Sequence, residues 1–252
     1  MTAPLRVSDG KGHRLLTLDR ADKGNALSED LADALDAAFA QAVDDDVPLL
    51  VLIGEGRHFC TGFDLADLEE RSDGDLLARF VRIEMMLDRL WQLPVPTLAI
   101  AKGRTMGAGA DIFVACQRRV AIEGTSFAFP GVNFGLVLGT RRLGARVGDG
   151  PAADILLGGR QVTAEEALAF GLVQQVIAPG AETAAIAAEA QRAARLPAIT
   201  GRALRAALSG PADADGDLAR LVRSAAPRGL RDRIMAYRAG LKTRTSAAPA
   251  QS

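Results

Sequence analysis

The chain has 252 residues, enough for one large domain or for one domain with a small appendage, and 48% of them are apolar, so a sizeable core is available. Its 30 basic groups stand against 31 acidic ones, which excludes a chain-wide electrostatic hold on nucleic acid or on an anionic membrane. No uninterrupted apolar run has the length of a membrane span.

The opening MTAPLRVSDGKGHRLL lacks the apolar stretch of a signal peptide, and Cys60 and Cys116 lie far apart with no CxxC. Reduced thiols and a cytoplasmic location are the expectation. PLRV, SDGKG and HRLLTL read as a hairpin whose turn chemistry is Asp-Gly and Lys-Gly. After the polar loop DRADKGNA, residues Leu27, Leu31, Leu35, Ala38 and Ala42 recur at helical spacing, and Glu29 and Asp30 favour that helix's positive end. LLVLIG, residues 97–103 and residues 118–124 read as short buried strands, with helices between them at 76–92 and 107–116. This alternation predicts an α/β fold. TAEE at Thr163–Glu166 is a capping box opening a short helix that Gly171 closes, and an alanine-rich helix follows at about 181–195. SGPADADGD at 209–217 reads as a mobile connection between C-terminal helices, and the tail after Lys242 as disordered.

Two turns stand out. KGRTMGAGAD places Gly107, Ala108 and Gly109 between a strand and a helix, where the first helical amides have no internal partner and suit an anion or a developing oxyanion. Close helix–strand packing explains the same small residues. No Lys-Ser/Thr follows them, so this is not a P-loop, and GAGADI breaks the dinucleotide fingerprint at its third glycine. GEGRHFCTGFDL likewise follows a strand and ends in a small-residue turn, so the two turns can aim two donors at one oxygen.

This pair resembles the crotonase superfamily, the enoyl-CoA hydratase/isomerase group. The resemblance runs from DRADKGNALSEDL through FCTGFDL, KGRTMGAGAD and FAFPGVNFGL to LLGGRQVTAEEALAFGLVQQVI. It implies a spiral of ββα turns over 1–195 carrying the acyl-CoA site, then a helical region, 196–252, that builds a trimer or a dimer of trimers. It implies an acyl thioester of coenzyme A as substrate and no separate cofactor or metal. Motif matching puts the two oxyanion amides on Thr61 and Ala108, and the first carboxylate on Asp111. Around them the resemblance places Cys60, Gly62, Asp64, Leu65 and Gly107 in the substrate site, and Lys23, Asn25, Ala26 and Leu27 along the nucleotide. Arg20, Lys23 and Lys242 are candidate phosphate partners.

One departure bears on the chemistry. Hydratases of this group use a second carboxylate after the proline of a turn that reads FPG here, so Gly131 stands in its place. Isomerases of the group generally put their base on that side too. Asp64, Asp67, Glu69, Glu70 and Glu84 are possible substitutes, whereas His13, His58 and Cys60 are poorer candidates. Three readings stay open: an enzyme acting on acyl-CoA with weak or absent hydratase activity, a non-catalytic acyl-CoA binder, and a scaffold that binds no thioester.

Overall fold

A computed structural model describes the backbone of residues 3–209 and 213–247 and the side chains of 3–208 and 213–241. The hairpin forms as expected, β1 (Leu5–Gly10) pairing antiparallel with β2 (His13–Leu18). Ser28 caps α1 (Glu29–Asp44) by accepting from the Leu31 amide. There follow β3 (Leu50–Gly54), α2 (Asp73–Gln92), β4 (Thr97–Ala101), β5 (Arg104–Met106), α3 (Ala108–Ala115), β6 (Arg118–Ile122) and β7 (Ser126–Ala128). Then come α4 (Thr140–Val147), α5 (Asp149–Leu157), β8 (Val162–Thr163), α6 (Ala164–Ala169) and β9 (Gln175–Ile177). Four helices close the described chain: α7 (Glu182–Ala193), α8 (Ala198–Ser209), α9 (Ala214–Ala225) and α10 (Leu230–Ala247).

The strands build two layers. A six-stranded sheet has the order β1-β2-β3-β4-β6-β9, parallel from β2 onward. A smaller sheet holds β5, β7 and β8, and bridges between Leu27 and Phe63 and between Cys60 and Thr105 carry its layer further. Each turn of chain thus lays one strand in the large sheet, one extended piece in the small layer, and one helix outside. This is the expected ββα spiral. Strand alternation divides the large sheet's apolar residues between two faces. Leu16, Leu50, Leu52 and Ala99 face the main core, while Val51, Leu98, Ile100 and Val120 face a second cluster closed by Ile186 of α7.

Two expectations are corrected. The 209–217 connection is helical from Ala214, because α9 anchors there through Asp217; residues 210–212 lie outside the described ones. The chain after Lys242 continues α10 to Ala247, and only residues 248–252 of the expected tail lie outside the described ones. Among the described residues no helix is long and apolar enough to cross a membrane.

Candidate active site

The two small-residue turns meet. Gly62 has φ +101°, and a Cβ there would lie 2.9 Å from the Met106 carbonyl oxygen. A Cβ on Gly109 would lie 2.5 Å from the Cys60 carbonyl oxygen. Glycine is therefore required at both places by one backbone passing against another. Gly107, at φ +50°, donates to the Ala128 carbonyl at 2.8 Å and opens α3. That leaves the Ala108 amide, first in the helix and without an intrahelical partner, on the wall of a cavity of about 350 Å³.

On the other turn the amide expected as donor is taken by the backbone. The Thr61 amide already donates to the Gly24 carbonyl at 3.0 Å, so it is not open to a ligand. Leu27 donates to the Gly62 carbonyl and accepts from the Asp64 amide, at 2.7 and 3.1 Å. In extended chain successive residues direct their backbone groups to opposite sides, so the Phe63 amide turns away from Leu27. Phe63 lines the cavity together with Gly62, Gly107 and Ala108. The strand-like pairing of this turn decides which amide is free, and neither composition nor motif spacing reveals it.

Asp111, on the first turn of α3, is the only carboxylate on the described cavity wall. It is 4% exposed, and its Oδ1 is buried with no hydrogen-bond partner. Burial raises its carboxyl well above the usual range; Arg142 opposes the rise and Glu84 adds to it. Gly139, at φ +66°, presses so close that a Cβ there would lie 2.1 Å from Asp111 Oδ1. Gly131 sits across the cavity, in a 3₁₀ turn at Pro130–Phe134, and brings no carboxylate.

The substitutes weighed from sequence are occupied elsewhere. Asp64 pairs with Arg20 at 2.8 Å, and Asp67 with Arg71 and Arg79 at 2.8 and 3.2 Å. Glu69 pairs with Arg238, Glu70 is exposed off the cavity wall, and Glu84 binds Arg142 behind the cavity. His58 accepts the Arg104 amide on Nδ1 at 3.0 Å, and His13 is on the first hairpin. The Cys60 thiol is buried and pushed up to about 12 by that burial, which leaves it inert.

The loop assigned to the nucleotide is a structural brace. Asn25, at φ +55° and fully buried, accepts from the Arg20 amide and donates to the Glu55 and His58 carbonyls. Its side chain is therefore unavailable to a ligand. Arg20 is likewise spent on Asp64 and the Ala26 carbonyl. Ala26 and Leu27 are buried, Lys23 is exposed, and the side chain of Lys242 lies outside the described ones. Leu65 and Gly62 line the cavity; Lys23, Asn25, Ala26, Leu27, Cys60 and Asp64 do not.

Aromatic and aliphatic residues that no motif marks form most of the remaining wall. Phe80 stacks on Phe63 at 4.5 Å between centroids, and Tyr237 tilts against Phe134 at 5.3 Å. Tyr237 and Leu241 come from α10, well beyond residue 195. A cavity with largely apolar walls, with Phe63, Ala108 and one buried acid among its lining residues, suits a carbonyl compound with an apolar chain.

Comparison with known proteins gives a consistent result. A family profile described as enoyl-CoA hydratase/isomerase matches residues 10–222. An enoyl-CoA isomerase/hydratase of Mycosarcoma maydis is 32% identical over 178 residues, covering 66% of this chain and 65% of that one. The human mitochondrial enoyl-CoA hydratase domain-containing protein 3 is 33% identical over 175 residues, covering 68% of this chain and 57% of the relative. These matches thus span less than two thirds of the relatives' own length. A crystal structure from Bordetella parapertussis, assigned to the enoyl-CoA hydratase/isomerase group, superposes with a TM-score of 0.91 at 42% identity, covering 98% of this chain and 100% of that one.

Proposed function

The chain belongs to the enoyl-CoA hydratase/isomerase family of the crotonase superfamily, and from that premise we propose that it binds an acyl thioester of coenzyme A and moves a proton at the carbon beside the carbonyl. The single observation that supports this reading is one cavity lined together by Phe63, Ala108 and Asp111; we infer that the two backbone amides converge there on the thioester oxygen. The amides polarise the thioester oxygen and stabilise the enolate; loss of one such donor costs about 3–4 kcal/mol. Asp111 is the proton-transfer group. With Gly131 opposite, no second carboxylate is present to activate water, so hydration is weak or absent. Coenzyme A arrives with the substrate and no further cofactor is used.

The exposed Leu196, Ile199, Leu204 and Leu208 support a second part of the proposal, that the region 196–252 joins copies of this cytoplasmic protein into a trimer or a dimer of trimers. Light scattering of the purified chain tests it: a monomer at micromolar concentration removes the assignment.

One observation favours a second reading, capture of acyl-CoA without turnover: burial raises the Asp111 carboxyl well above its ordinary range, which opposes its use as a base. Two assays separate the readings. The first follows crotonyl-CoA by its ultraviolet absorbance. The second follows deuterium entry at the α-carbon of butyryl-CoA in heavy water by NMR. The enzyme reading expects α-exchange without rapid hydration, and a fall of about 100-fold or more in Asp111→Asn. Tight binding with no exchange establishes the binder.

A further inference from the structure

Behind the cavity floor lies a buried charged cluster that no part of the thioester chemistry uses. Arg142 of α4 is 1% exposed, and its guanidinium reaches Glu84 of α2 at 2.5 Å and Asp217 of α9 at 3.4 Å. Asp217 has two further cations, Arg141 and Arg220, each at 2.8 Å. Asp111 belongs to the same cluster, because Gly139, which opens α4 just before Arg142, presses on its carboxyl. Asp111 Oδ1, Glu84 Oε2, Arg141 Nη2 and Arg142 Nε are buried here without a hydrogen-bond partner.

The charges do not balance evenly. Asp217 has two further arginines of its own, and Arg142 makes no ion pair with Asp111, although its charge acts on that carboxyl. Glu84 holds the direct contact. The other charged groups around α3 lie elsewhere: Arg146 is spent on the carbonyls of Val114, Ala115 and Cys116, Arg119 on those of Cys116, Gln117, Gly171 and Leu172, and Arg104 is exposed at the cavity. Glu84 has one more property. It lines a separate groove of about 480 Å³ between α1, α2 and the start of α9, so it sits between solvent and the floor of the acyl cavity.

We propose that Glu84 is a positioning residue that, by competing for Arg142, decides whether the Asp111 carboxyl keeps its proton. With Glu84 ionised, Arg142 is engaged and Asp111 stays neutral. With Glu84 neutralised, by a proton arriving through the outer groove, Arg142 turns its charge to Asp111 and the base form is released. The role in catalysis rests on the proposed proton transfer at the thioester; the coupling itself does not.

The test is an infrared titration of the protein without ligand. The neutral carboxyl band that disappears in Asp111→Asn identifies Asp111, and its midpoint is read in the unmodified chain and in Glu84→Gln. The expected result is a fall in the midpoint of about one to three pH units in Glu84→Gln, the size of an opposite charge becoming available at close range. Asp217→Asn frees Arg142 from its other side and should move the midpoint the same way, by less; it decides the matter if Glu84→Gln does not fold. An unmoved or raised midpoint in the folded variant overturns the proposal. In the exchange assay the rising limb of the pH profile should shift to lower pH by the same amount in Glu84→Gln. A shifted midpoint with no α-exchange at all in the unmodified chain removes the function reading and keeps the coupling; exchange with an unshifted midpoint does the reverse.

Discussion

Ionising Asp111 places charge on an oxygen that is buried and has no hydrogen-bond partner, in a cluster already holding Glu84. The linkage sign follows from the raised carboxyl. The unfolded chain releases this proton near the ordinary aspartate value of about 3.9, whereas the folded chain holds it to higher pH. Stability from this group is complete below the unfolded value and is lost as pH rises toward the folded one. Asp111→Asn removes that loss, so its melting temperature should exceed that of the unmodified chain at neutral pH, by about 2–4 °C per kcal/mol relieved, and approach it in acid. Thermal melts across that range check it, and a variant less stable at neutral pH than in acid, relative to the unmodified chain, contradicts the reading. Gly131 gives the converse case. Its φ lies outside the left-handed region, and a Cβ would meet its nearest neighbour, Leu136 Cβ, at an ordinary 3.5 Å. Gly131→Glu is therefore tolerated and should place a second carboxyl across the cavity from Asp111. Crotonyl-CoA hydration should then rise by about 100-fold, the lower range for a positioned acid or base.

At the scale of elements, α3 is held at one end by a close backbone contact and at the other by arginine side chains. Its N-terminal turn lies on Cys60 through Gly109, and its C-terminal carbonyls accept from Arg146 and Arg119. Gly109→Ala would put a Cβ within 2.5 Å of a carbonyl oxygen that cannot rotate away, so α3 must shift. A loss of about 1–3 kcal/mol is expected, with weaker acyl-CoA binding, because the Ala108 amide moves with the helix. Urea unfolding and a binding titration measure the two effects; an unchanged midpoint means that α3 adapts without cost. The same element shows what could be read from sequence. Strand, glycine turn and helix were legible because apolar runs, a small-residue turn and helical spacing agree at one place, and Ala108 and Asp111 both line the cavity. That the Gly24 carbonyl takes the Thr61 amide was not legible, because this partner lies on a loop distant in sequence. Asn25 was misread for a related reason: its buried side chain binds backbone from a distant turn, a partner no local pattern names. The strands β5, β7 and β8 are two or three residues long, too short for alternation to show.

The molecule as a whole closes its cavity with its last described helix. Helix α10 carries Tyr237 and Leu241 onto the wall, and polar contacts dock it. Arg238 donates to the Leu65 carbonyl at 3.1 Å, Arg233 to the Phe134 carbonyl at 3.0 Å, and Asp73 of α2 accepts the Gly229 and Arg231 amides at 2.7 and 2.8 Å. Asp73 thus caps α10 from a different helix, and those amides hold its carboxyl below the usual range. A depressed carboxyl stabilises the folded state above the unfolded value and ceases to do so as pH falls through the folded one. Asp73→Ala should remove the same contribution at neutral pH, about 0.5–2 kcal/mol for a lost helix cap. The loss should fall first on α10, whose release opens the cavity without unfolding the spiral. Tyr237 is the only tyrosine in the chain, so fluorotyrosine labelling gives one fluorine resonance from the cavity wall. In Asp73→Ala, and in the unmodified chain under acid, that resonance should move toward its solvent-exposed position before far-ultraviolet circular dichroism changes. Acyl-CoA affinity should fall in the same variant. A resonance that moves only together with global unfolding would mean that α10 and the spiral melt as one unit, and that the cavity has no separate door.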